Sequence, residues 1–166
     1  MAIARIENGT VVEVRHIDLV DVPSHKMSDW RVVVDHPPVV DIRLSTSVAT
    51  GWNIGESEVT RVYDVVPHDR TIQIQSVKAE CQRRIIAATG GTDLINCLVK
   101  QMNMQMRAAE IINIKASGGV LTEQQVAEAA DLQAIADTIK ALRARSNEIE
   151  AINPIPSDFA SDARWA

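Results

Sequence analysis

Two glycine pairs, Gly90-Gly91 and Gly118-Gly119, divide the second half of this 166-residue chain into three helical stretches. Glycine takes the left-handed conformation at a helix C-terminus without a Cβ clash, so a Gly pair after an apolar periodic run reads as a stop. Before the first pair, Val77, Cys81, Ile85 and Ala88 recur at steps of four and three, which predicts a helix over about residues 75–89. Thr92-Asp93 caps a second helix over 92–116. Its apolar positions Ile95, Leu98, Met102, Ala109 and Ile112 form a heptad-like seam, with Gln105 as the polar exception. After Gly119, Thr122 and Gln125 form a capping box that opens a third helix over 122–151. There Leu132, Ile135, Ile139, Leu142 and Ile149 repeat the spacing, interrupted by Ser146.

Two seams of similar length joined by a short Gly-rich loop are expected to fold back as a long antiparallel helical hairpin. Each seam is narrow. At about 25 cal/mol per Å2 of apolar area, a lone two-helix hairpin buries too little to offset its conformational entropy. The first helix, the N-terminal module or a neighbouring chain is expected to cover its open side.

Residues 1–74 read differently. Strand-forming segments flank Asn8-Gly9, a pair that accepts positive φ at both central positions of a type I′ hairpin turn. Residues 17–31 lose the alternation and read as loop, with one helical turn before Trp30. Strand-like runs return at residues 31–34, 39–44, 52–54 and 58–66, with Gly55-Glu56-Ser57 as the turn of a second hairpin. Pro37-Pro38 marks an edge or connector, because neither residue can donate to a ladder. Residues 58–66 carry apolar groups on both faces, so one face is expected to meet a partner. The expected fold class is α+β: a β-hairpin-rich module over 1–74, a helical region over 75–151, and an extended docking tail over 152–166 beginning at Ile152-Asn-Pro-Ile-Pro156.

Chemistry is harder to find. His16, His25, His36 and His68 have carboxylates nearby but no compact ligand spacing, so exposed loop histidines are the plain reading and no metal is expected. Cys81 and Cys97 sit within helical patterns where small apolar residues also fit. Buried free thiols and a reducing compartment follow, and neither cysteine has the context of a nucleophile. Gly-rich segments at residues 50–55 and 88–93 lack the lysine and spacing of a nucleotide loop, and no cofactor is expected. The formal charge of −5 and an aromatic content of 3% argue against nucleic acid, which needs a basic footprint or stacking faces. The N-terminus lacks the pattern of a secretory signal, and no run approaches the roughly 18 apolar residues of a membrane span. Candidate partner-binding residues are Trp30, Met104, Phe159 and Trp165; self-docking of Trp30 and Trp165 onto the same chain is an equal alternative.

Residues 4–14 (Ala-Arg-Ile-Glu-Asn-Gly-Thr-Val-Val-Glu-Val), 58–66 (Glu-Val-Thr-Arg-Val-Tyr-Asp-Val-Val), 78–86 (Lys-Ala-Glu-Cys-Gln-Arg-Arg-Ile-Ile) and 158–165 (Asp-Phe-Ala-Ser-Asp-Ala-Arg-Trp) resemble small proteins encoded beside tail-fibre genes in tailed bacteriophages. That group includes tail-fibre assembly proteins and minor components of the distal tail; residues 17–57 lie outside the resemblance. It implies a non-enzymatic, protein-binding role, with phage tail or tail-fibre proteins as partners and the virion tail, reached from the host cytoplasm, as location. A homo-oligomer is expected, including a trimer with seams around a threefold axis. The alternative within this class is a tail-fibre assembly chaperone. A rival class is a small-ligand-binding enzyme or regulator with His36 or His68 in a cleft between the β and helical parts, and a third is an adaptor or toxin-antitoxin module acting through the hairpin.

Overall fold

The computed structural model describes residues 1–16 and 29–166 and divides the chain into two units, Met1–His68 and Asp69–Ala166. The loop expected over 17–31 falls mostly outside the described residues, as does His25.

Unit 1 is a five-stranded mixed sheet. Its strands are β1 (Ala2–Glu7), β2 (Thr10–His16), β3 (Trp30–Val34), β4 (Ser45–Ile54) and β5 (Glu58–Pro67), in the order β2-β1-β3-β5-β4. The β1–β2 hairpin turns at Asn8 (φ 52) and Gly9 (φ 75), the type I′ geometry that this dipeptide favours. The β4–β5 hairpin closes with Gly55 N–H donating to the Glu58 carbonyl at 2.9 Å. Strands β3 and β5 pair in parallel, Val33 lying beside Val59, while the other described pairs are antiparallel. Among the described residues of this unit, Ile3, Ala4, Leu44 and Val59 are buried. Residues 39–44 are not a strand. Asp41 organises a turn there, its carboxylate accepting from the Arg43 backbone N–H and its carbonyl from Leu44 and Ser45. Local bonds of this kind compete with ladder pairing, and Val39 and Ile42 stand exposed.

Unit 2 is helical, so the chain as a whole is α+β. Helix α1 (Arg70–Ala88) begins earlier than periodicity suggested, because the Asp69 side chain caps it by accepting from Thr71 N–H at 2.8 Å. Helix α2 (Leu94–Ala116) is capped by Asp93, and α3 (Glu123–Ala151) has the full Thr122/Gln125 capping box. Both glycine pairs make the double Schellman bond. Gly90 and Gly91 donate to Ala87 and Ile86 carbonyls, and Gly118 and Gly119 to Lys115 and Ile114 carbonyls, with Gly90 and Gly118 at φ +64 and +78.

The main neighbour of α3 is α1. Val77, Cys81, Ser146 and Ile149 are buried, and the Cys81 thiol points at the Leu142 carbonyl 3.6 Å away. A long closed hairpin of α2 and α3 is not established, because an open cleft lies between them. The tail is not simply extended: Ile155 and Phe159 are buried, and a one-turn helix α4 (Asp162–Trp165) brings Trp165 in, its indole N–H donating to the Phe159 carbonyl at 2.7 Å. Arg84 holds the tail by donating to the Ala160 carbonyl and the Asp162 carboxylate, with its guanidinium 5.1 Å from the Trp165 ring centroid.

Candidate interaction surface

Helix α2 is apolar around most of its circumference, which is unusual for a helix with one packed side. Its buried face is set at the α1–α2 corner. A Cβ on Gly91 would lie 3.1 Å from the Cys97 Cβ, so glycine permits the close approach that puts Cys97 inside. There the Cys97 sulfur accepts from Thr89 Oγ1 at 3.2 Å and Gln101 Nε2 at 3.1 Å. One turn after another, Gln101, Met104, Ala108 and Ile111 follow Cys97 along this side. With Ala129, Leu132, Ala136 and Ile139 of α3, the last four line an open apolar cleft of about 280 Å3. The Arg107 guanidinium also links the helices, through two 2.8 Å bonds to the Glu128 carboxylate. That pair holds Glu128 below its ordinary carboxylate range and raises Arg107 further, so both stay charged.

The expected α2 seam does not pack closely against α3, although Ile112 borders the cleft between the two helices. Ile95, Leu98, Met102 and Ile112 are 75%, 55%, 56% and 64% exposed. Together with Leu94, Val99 and Met106, also exposed, they span an arc of about 140° at roughly 100° per residue. A 3-4 spacing identifies a stripe; in α2 two stripes satisfy it, and the corner chooses the other. On α3 the expected seam faces inward: Ile149 is buried, and Leu132, Ile135, Ile139 and Leu142 are half-buried.

Of the four expected anchors, Met104 lines the cleft. Trp30 is half-buried, 5.6 Å from the Arg15 guanidinium. Phe159 and Trp165 are buried inside unit 2, so Trp165 takes the self-docking alternative and both serve as core of their own unit.

Unit 1 carries a polar cluster that local sequence patterns did not reveal, because its members come from three chain segments. The Tyr63 hydroxyl donates to Asp35, Arg61 reaches the same carboxylate at 3.4 Å, and the Arg61 guanidinium stacks on Trp52 at 5.1 Å. The hydrogen bond to Asp35 raises the Tyr63 pKa. Elsewhere, His16 and His36 are exposed, and His68 Nε2 is 3.0 Å from the Ile42 carbonyl oxygen. Among the described residues no three His, Cys, Asp or Glu side chains gather as metal ligands. Cys81 and Cys97 are free and buried, and burial pushes the Cys81 thiol up, away from a nucleophilic thiolate. No described helix is long and apolar enough to cross a membrane.

No protein-family model, curated protein or solved structure matches the chain.

Proposed function

We propose that this chain is a structural component of a bacteriophage tail, in the distal or fibre-attachment region, acting through protein-protein contacts. The observation that carries the contact-forming part of this reading is the exposed apolar stripe of α2, from Leu94 to Ile112. A stripe this long is costly to leave in water, and patches of such size mark interaction surfaces. The resemblance of residues 4–14, 58–66, 78–86 and 158–165 to proteins encoded beside tail-fibre genes supplies the setting. In this reading the protein carries out no reaction, and α2 is the element that meets tail or fibre subunits, with further copies of the chain in the same assembly.

A transient fibre-assembly chaperone is the second reading, and the same stripe favours it, since a holding surface must also be apolar. Mass spectrometry of purified virions, with copy number measured against a major tail protein, separates the two. A fixed copy number per particle is the expected result. Absence from particles, with binding to fibre subunits only during assembly, overturns the retained component in favour of the chaperone.

A further inference from the structure

The stripe on α2 has an internal symmetry. Its heptad-spaced positions Ile95, Leu98, Met102, Gln105, Ala109 and Ile112 are related end for end, with isoleucine at each extreme, then one large and one small residue (Leu98, Ala109), and Met102 with Gln105 at the centre. Two copies of the helix laid antiparallel about a twofold axis between residues 103 and 104 would set Ile95 beside Ile112, Leu98 beside Ala109 and Met102 beside Gln105 of the other copy. A large side chain then meets a small one, as interdigitated packing requires.

Charge agrees. The charged residues between Leu94 and Ile112 are Lys100, Arg107 and Glu110, and all three lie off the stripe and are engaged within the chain. Lys100 donates to the Gly90 carbonyl, and Arg107 binds both Glu110 and Glu128. The stripe therefore offers no charge to repel an identical face and none to select a charged partner. Area agrees as well. The seven large apolar side chains are 46% to 75% exposed. Although Leu94, Leu98 and Ile112 also border clefts beside α1 and α3, the seven present several hundred Å2, approaching the roughly 800 Å2 that each partner gives up in a standard-sized interface.

We infer that α2 pairs with α2 of a second copy of this chain, antiparallel and twofold-symmetric, with Leu98 packed against Ala109. This rests on the reading of the stripe as a contact surface and names its occupant.

The test is sedimentation equilibrium of the whole chain at concentrations up to roughly 100 µM, with circular dichroism to verify that each variant stays helical. The wild type should be a dimer, and Met102→Glu a monomer of unchanged helicity. Leu98→Ala places small against small and Ala109→Leu large against large, so each should weaken the dimer about tenfold or more. The double variant exchanges the two sizes and should recover most of that loss. A wild-type monomer, a trimer, a dimer indifferent to Met102→Glu, or a double variant weaker than either single one each overturns the inference. A monomer that still copurifies with tail particles overturns the twofold pairing and leaves the tail role standing.

Discussion

Arg84 shows how much of unit 2 can hang on one side chain. It bonds the buried Glu80 carboxylate at 2.8 Å, two groups of the tail, and the face of Trp165. A planar guanidinium can serve all of these at once, whereas an ammonium cannot match the fork or the stacking. Arg84→Ala should therefore cost about 2 kcal/mol, a charged hydrogen bond with its packing, and Arg84→Lys should recover only part; urea unfolding followed by Trp fluorescence measures both. Glu80 adds a pH dependence. Its hydrogen bonds with Arg83, and then its interactions with Arg84, outweigh burial and hold its pKa below the ordinary value. A carboxylate depressed in the folded state contributes stability that is fully present above its unfolded pKa of about 4.3 and is lost as pH falls through the lower folded value. The stability gap between wild type and Glu80→Gln should be widest near neutral pH and shrink below about pH 4. A gap that is constant from pH 7 to pH 3 would remove the ion pair from the explanation.

Among the elements, the glycine pairs carry unequal loads. At Gly90 the backbone is left-handed (φ +64) but a Cβ would have room, its nearest neighbour being Lys100 Nζ at 3.6 Å. Gly90→Ala should then cost about 1 kcal/mol, the left-handed penalty alone. At Gly91 a Cβ would meet Cys97 side-chain and backbone atoms at 3.1 to 3.2 Å, so Gly91→Ala forces the α1–α2 corner apart and should cost more than Gly90→Ala. Thermal melts of the two variants test that order, and equal losses would mean that the corner is not tightly packed. These corners also explain what was legible in the sequence. Stops and starts were, because Gly90, Gly118, Thr122 and Gln125 satisfy backbone groups within a few residues of themselves. The buried side of α2 was not, because that choice is made by the distant fit of Cys97 against Thr89 and Gly91, while both stripes look alike along the chain. Residues 39–44 misled for the opposite reason: strand-prone Val39, Val40 and Ile42 gave way to the short-range bonds of Asp41. The parallel pairing of β3 with β5 leaves no local mark, since sheet order is a property of the assembled unit. The placement of Phe159 and Trp165 followed the same rule: between the two readings open for Trp165, a partner's pocket or its own chain, the choice is made by the assembled unit.

At the scale of the molecule, the division between His68 and Asp69 gives each unit its own buried residues. Unit 2 holds Val77, Cys97, Ile149 and Phe159, its helix caps at Asp69, Asp93 and Thr122, and the tail contacts of Arg84. A segment that contains its own core and satisfies its own helix ends meets the physical requirements of a folding domain. Residues 69–166 expressed alone should be helical and should melt cooperatively. Phe159 is fully buried, so Phe159→Ala should lower the stability of that fragment by about 3 to 5 kcal/mol. Against a domain stability of about 5 to 15 kcal/mol, such a loss leaves little margin, and the variant should expose the tail to limited proteolysis near Ile152. The same substitution leaves every stripe residue of α2 in place, so a folded fraction of the variant should still associate. If residues 69–166 melt without cooperativity, the helical unit depends on the sheet. Loss of association together with the tail would show that the docked tail, and not α2 alone, shapes the contact surface.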